Sequence, residues 1–427
     1  STRPRLPPTR IGREGGDIEG PASSSGFEAW KHWIHLYRSI GVNPVHRKVQ
    51  GLPQVSLKVA STWALLKTYL KKVLPECDES LSRGATLQDI KDAEKLVGYP
   101  LPRCVIELYS VFDGQRNRDG SSIYSQRISR HPYRGVIGGY AVYNDKVSVH
   151  MLPLKTAIMM TLKLRRNFPS DAFRTKILLF SSHFKKCFFL DAKDGGLYCG
   201  LYKGADVGMQ FYKATPNVKK DSILVWLREH ARRLLEGEIK VSVIDQAAGN
   251  SRGISLYPET PPMMSMAVSN GVVVRSSAVW MPEREMWSYS IRMRLLTKGE
   301  QGYVSDVDRK YSTCQLSDRC WVIKSAGDDA KEKNVRGRGV IGMFPILCNS
   351  GWILNSESDP HHQYRHAEQL IEGEFVYQSC TPLRNPQKGG SFKGWMTFYR
   401  GTERAPAGEP FRVTVSSFPL LIPEFIY

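Results

Sequence analysis

The sequence predicts an α+β N-terminal domain followed by an all-β sandwich or barrel, and three observations carry the prediction. Apolar residues recur every three or four positions through residues 27–74 and again through 87–97, the spacing that gives a helix one apolar face. Beyond Gly135, short β-branched and aromatic runs alternate with Gly, Asp and Pro turns, and one further helical stretch spans about 221–237. From Met266 onward strand and turn alternate without interruption, as expected of a sandwich or barrel.

Taken in order, residues 1–26 form a Pro/Arg-rich basic arm with no acid before Glu14, and so little apolar surface cannot offset the entropy of ordering. Its Arg3, Arg5 and Arg10 are candidates for partner contact. Residues 27–80 form a helical lead-in, with Trp30, Trp33 and Tyr37, then Trp63, Leu66 and Leu70, on apolar stripes. The α+β domain spans 81–240. Thr86 and Asp89 make a capping pair, Leu87, Ile90, Ala93 and Val97 the buried stripe, and Gly98 the stop. Pro102 opens a second helix with Val105, Leu108, Tyr109 and Phe112 on one face, ended by Asp113-Gly114. Strands are expected at 136–143, 176–180, 187–190 and 197–202, before the closing helix with its Trp226-Leu227. A Gly/Ser/Pro-rich linker at 241–262 leads to the sandwich at 263–427. Its strand candidates are 271–279, 287–296, 320–324, 340–347, 375–380, 394–399 and 411–418, with an insertion at 352–372.

Lys and Arg outnumber Asp and Glu by 60 to 41, a net charge of +19 that favours contact with polyanions without saying which. No apolar run approaches the ~18 residues of a membrane-spanning helix. The 8 cysteines form no C-x-x-C and sit in apolar runs, a pattern of buried free thiols. The first residue is Ser1 rather than Met, from which we expect a processed protein of the mitochondrial matrix side.

Two stretches resemble known families. Ala93-Glu94, Leu101-Pro102, Glu107-Leu-Tyr109, Asp113-Gly114-Gln115, Gly138-Gly139-Tyr140 and Met151-Leu-Pro-Leu154 resemble the SUKH domain of the Smi/Knr cell-wall regulators. Ser290-Ile291-Arg292-Met293, Trp321-Val-Ile323, Gly337-Arg-Gly339-Val-Ile-Gly342, Phe344-Pro345 and Glu374-Phe-Val-Tyr377 resemble an ApaG domain, a resemblance that implies an all-β sandwich of the immunoglobulin/fibronectin-like kind. The pair in this order is similar to plant Skp-interacting F-box proteins, although no F-box is recognisable before Phe27. The resemblance implies a protein-binding role and, with an F-box, attachment to Skp.

Three kinds of residue group could carry chemistry. Gly337, Gly339 and Gly342 spell G-x-G-x-x-G, but a dinucleotide site needs a strand before and a helix after, and the flanking residues predict β-turn geometry instead. His362 and His366, with Glu368, share helical spacing suited to a metal, yet lie in a polar insertion without the H-E-x-x-H pattern. Lys163, Arg165 and Arg166 form a basic cluster, and Lys185-Lys186, Lys219-Lys220 and the Arg336/Arg338 pair are further ones. No nucleophile elbow, P-loop or Cys/His arrangement is present. The expectation is therefore a non-catalytic structural accessory subunit of a large mitochondrial assembly, the ATP synthase periphery or the mitochondrial ribosome. Such a subunit would need no cofactor and would touch other subunits and rRNA or anionic lipid. The alternative is a substrate-recognition adaptor of a Skp-cullin-F-box-type ubiquitin ligase, and a third is a ligand-binding or enzymatic ApaG module.

Overall fold

The computed structural model describes residues 55–116, 134–143, 145–168, 171–182, 185–202, 208–216, 221–245, 251–327, 332–354 and 370–427, all within the compact unit Lys48–Tyr427. The arm and the first part of the helical lead-in lie outside them. Ser56 caps the helix Leu57–Val73 by accepting from the Val59 N–H, and Trp63, Leu66 and Leu70 on its inner face are fully buried. Thr86 and Asp89 close a reciprocal capping box at the start of the helix Leu87–Val97, which ends at the left-handed Gly98. The next helix, Arg103–Val111, stops one residue short of the expected end. Phe112 turns extended and opens β2 (Phe112–Gln115), paired with β1 (Leu81–Arg83). Its ring meets Trp63 at 5.0 Å, so packing overrides the helical period there, and Asp113-Gly114 lie in a strand rather than at a helix end.

The N-terminal sheet contains β3 (Gly138–Val142), β4 (Asp145–Met151), β5 (Lys176–Ser182), β6 (Lys186–Asp191), β7 (Leu197–Tyr202), β8 (Met209–Lys213), β9 (Lys240–Asp245) and β10 (Ser251–Ser255). Their order is β8-β7-β6-β5-β4-β3-β10-β9, antiparallel throughout except for the β3–β10 pair. Every residue of β5 and β6 is buried because both faces of these central strands are covered. Leu178, Cys187 and Phe189 pack on one face with Ala157 of the helix Leu154–Asn167. On the other, Phe180 and Phe188 meet Trp226 of the helix Ser222–Leu235 at 5.2 and 4.9 Å. The stretch 241–262, expected as a linker, is instead largely part of this sheet: its glycine and serines sit among Val241, Val243 and Ile254, which alternate as β9 and β10 require.

The sandwich has a first sheet ordered β11 (Met264–Ser269), β12 (Val272–Met281), β13 (Met286–Leu295) and β19 (Phe375–Thr381). The second is ordered β18 (Ile371–Glu372), β17 (Gly351–Ile353), β16 (Ile346–Cys348), β14 (Thr313–Ser325), β20 (Gly390–Arg400) and β21 (Phe411–Leu420), with β15 (Glu332–Arg338) also paired to β14. Aromatic rings join the sheets: Tyr289 of β13 meets Phe392 of β20 at 4.6 Å, and Phe392 meets Trp321 at 5.4 Å and Phe418 at 5.0 Å. The expected insertion 352–372 is narrower than drawn, since Trp352 is buried in β17 against Phe375 at 4.9 Å and Ile371 pairs with Trp352. Of the expected strand 340–347 only Ile346 and Leu347 lie in β16. Gly339 and Gly342 hold positive φ and bend the chain between them through a single Val340–Met343 bridge.

Both halves belong to that one unit, and polar groups and the last residues join them. Glu259, ahead of β11, pairs with Lys240 of β9 at 2.9 Å, with Arg275 of β12 at 2.7 Å, and with Arg292 of β13. Burial alone would raise its pKa, but Arg292, Lys240 and Arg275 hold it below the usual carboxylate value. Lys186, fully buried, donates to the Tyr140 hydroxyl at 3.3 Å and lies 4.0 Å from Glu283 of the β12–β13 turn. The last residues then return to the first half. The Trp226 indole donates to the Ile426 carbonyl at 2.7 Å, Ile426 N–H donates to the Ala214 carbonyl at 3.0 Å, and the Tyr427 ring stacks on Trp226 at 5.1 Å.

Candidate functional site

A groove of about 430 Å³ opens on the second sheet of the sandwich, built from four neighbouring strands. Cross-strand register places its residues in two rows: Arg338, Asp318, Thr397 and Arg412, then Arg336, Cys320 and Trp395. Arg319 completes the lining, so four guanidinium groups share the groove with one carboxylate, Asp318. Arg338 is paired with Glu403, and the Arg412 guanidinium lies over the Trp395 ring at 5.1 Å. Arg336 is exposed and has no ion-pair partner among the described residues. The groove therefore carries surplus positive charge beside a partly exposed indole. That combination suits a carboxylate-rich peptide segment, held by Arg through paired hydrogen bonds and by Trp through apolar contact.

The glycine motif belongs to this wall, and its geometry explains the glycines. Gly337 stands opposite Arg319 in the β14–β15 register, and a Cβ on Gly337 would come 3.1 Å from the Arg319 guanidinium. That guanidinium lies across the strand and donates to the carbonyls of Arg338, at 3.1 Å, and Gly339. At Gly339, φ is +56° and a Cβ would meet the Met343 carbonyl oxygen at 2.6 Å. Gly337 and Gly339 thus make room for an arginine and a tight bend, and strand β16 follows where a dinucleotide loop would present a helix.

The other sequence candidates do not converge on the groove. Lys163 and Arg166 are exposed on the helix Leu154–Asn167, while Arg165 is half-buried and bonded to the Tyr99 hydroxyl and, at 3.2 Å, to the Lys176 carbonyl. Arg165 is thus a fold-holding side chain rather than a contact cation. Lys186 is likewise in the core, not on a basic surface. Arg3, Arg5, Arg10, His362, His366 and Lys219-Lys220 lie outside the described residues. Among the described residues no cluster of three potential metal ligands exists, and no helix is long and apolar enough to cross a membrane. The eight cysteines are free, six of them buried, and burial pushes the Cys187 thiol up to about 12, far from a reactive thiolate. Arg319, Trp395 and Arg412 were not singled out by sequence reasoning. Only the pairing of four strands brings them together, and no local spacing signals it.

An α+β half joined to a β-sandwich that bears a basic groove defines a two-part α+β/all-β protein. A family model described as the ApaG domain matches residues 279–352, within the sandwich, so the C-terminal region is an ApaG-like all-β domain. The chain is 31% identical to F-box protein SKIP16 of Arabidopsis thaliana over 96% of its own length and 87% of that protein's, and it belongs to that protein's family. Two solved structures are similar to the C-terminal part. One is a structural-genomics target, 20% identical with a TM-score of 0.25, over 38% of this chain and 94% of that one. The other is described as an ApaA protein from Bordetella pertussis, 19% identical with a TM-score of 0.24, over 38% of this chain and 98% of that one. The kinship with an F-box protein overturns the expectation of an accessory subunit of the ATP synthase periphery or mitochondrial ribosome. The reason is physical: a net charge of +19 and a basic arm report affinity for polyanions and contain nothing that names an assembly.

Proposed function

We propose that the chain is a substrate-recognition adaptor of a Skp-cullin-F-box-type ubiquitin ligase, in which the ApaG-like sandwich holds an acidic segment of the protein to be modified. The observation that carries this reading is the 31% identity to an F-box protein along nearly the whole chain. The arginine groove adds the chemistry of the contact. In this reading the N-terminal half is a SUKH-type domain. Its support is the Ala93–Leu154 residue pattern together with a mostly antiparallel sheet whose two faces are each covered by a helix. The adaptor performs no chemistry of its own: it fixes geometry between a ligase and its target, and it uses no cofactor.

The test is affinity capture from cell extract with the full chain as bait. Co-recovery of Skp and a cullin in stoichiometric amounts is the expected result. Recovery of neither, with the bait folded by circular dichroism, contradicts the reading.

A further inference from the structure

We propose that the acidic segment docks on the free edge of β15 as an added strand of the second sheet, every second side chain standing beside Arg336 and Arg338. That mode of docking rests on the adaptor reading for its partner and adds the segment's conformation. β15 pairs with β14 along one side, and among the described residues no strand pairs with it on the other. One bond fixes which backbone groups face outward: Gly339 N–H donates to the Ser317 carbonyl at 2.7 Å. Residues of an antiparallel strand alternate between bonding the neighbour and facing away from it, so Asn334, Arg336 and Arg338 turn their N–H and C=O groups outward. The Arg319 guanidinium passes Gly337 and reaches the Arg338 carbonyl at 3.1 Å, in agreement with that phase. Asn334 and Arg336 are exposed, so a pairing chain can reach their outward groups.

The charge along this edge names the occupant. Side chains two apart on a strand share a face, so Arg336 and Arg338 stand together on the groove side and Lys333 lies on the other. Glu332, at the start, is the strand's one acid. Arg338 is already paired with Glu403, whereas Arg336 has no ion-pair partner among the described residues and can anchor an incoming carboxylate. A second copy of this chain is a poor occupant, because antiparallel pairing of two β15 strands about Arg336 would set arginine against arginine. An extended segment with acids at alternate positions meets the arginines on one face, and its intervening side chains face the Arg319 guanidinium across Gly337.

The test is fluorescence anisotropy, at low salt, of the full chain with fluorescein-labelled Glu-Thr-Glu-Thr-Glu-Thr-Glu and two doubly N-methylated forms. One form is methylated on two glutamates, the other on two threonines. In an added strand only one alternate set of peptide N–H groups points at β15. One form should therefore lose affinity by about tenfold or more while the other stays within about twofold of the parent. Asn334→Pro removes an outward N–H at an edge position where proline is tolerated and leaves every arginine in place. It should weaken binding of the unmethylated peptide by about fivefold, with Asn334→Ala unchanged. Equal effects of the two methylations overturn the added strand, and so does a folded Asn334→Pro that binds as tightly as the wild type. Should Asn334→Pro fail to fold, the methylated pair decides alone. Binding that ignores both changes overturns strand addition and leaves the acidic-groove reading standing, whereas no saturable binding of any peptide overturns both. Co-recovery of Skp reports on the adaptor reading separately.

Discussion

His230 shows how a single residue couples the fold to pH. It is fully buried under the Tyr427 ring and bonds the Val136 carbonyl through Nε2 at 3.1 Å, so that nitrogen carries the proton of a neutral ring. Burial pushes its pKa down to about 4, against about 6.5 for the free side chain. Below pH ~6.5 the unfolded chain therefore takes up a proton that the folded chain refuses. Stability should be flat above that pH and fall by about 2 kcal/mol between pH 7 and pH 5 from this residue alone. Urea denaturation of the wild type and of His230→Gln across that range checks it, with the flatter slope expected in the variant. At the same scale the glycine motif was legible as turn chemistry, whereas its purpose was not. Gly337 serves Arg319, a partner 18 residues away across a strand pair, and spacing within the motif holds no trace of that.

At the scale of elements, legibility followed burial. β5, β6 and β7 were readable because β-branched and aromatic residues fill them, and the Thr86–Asp89 box because capping is local. β15 was hidden: its Glu332, Lys333, Asn334, Arg336 and Arg338 are exposed and show no apolar alternation, and only pairing with β14 makes it a strand. β9 and β10 were obscured by a composition that mimics a linker. Their placement depends on Gly138, which holds φ at +92° and would bring a Cβ within 2.3 Å of the Ile254 carbonyl oxygen. Gly138→Ala should therefore break the β3–β10 pairing and cost on the order of 2–3 kcal/mol. Amide hydrogen exchange would show the loss of protection concentrated in Ser251–Ser255. Unchanged protection there would disconnect the glycine from the pairing.

Across the whole molecule, the order of an α+β half and a β-sandwich could be read from hydropathy periods, while the way the halves are joined could not. The sequence assigned the closing residues 421–427 to the sandwich without a partner, yet Ile426 and Tyr427 complete the packing around Trp226, about 200 positions earlier in the chain. Glu259 and Glu283 each look like ordinary surface acids in sequence, and each meets cations of the other half. Joined in this way, the halves form one compact unit whose sandwich bears the arginine-lined groove. The most direct measurement is the equilibrium binding of a fluorescent, unphosphorylated ten-residue Glu/Asp peptide to the full chain, beside the double variant Arg336→Glu, Arg412→Glu. Saturable binding that weakens with salt and falls at least tenfold in the variant is the predicted result. Equal binding by both proteins, or none by the wild type, would contradict an adaptor that grips acidic segments in this groove.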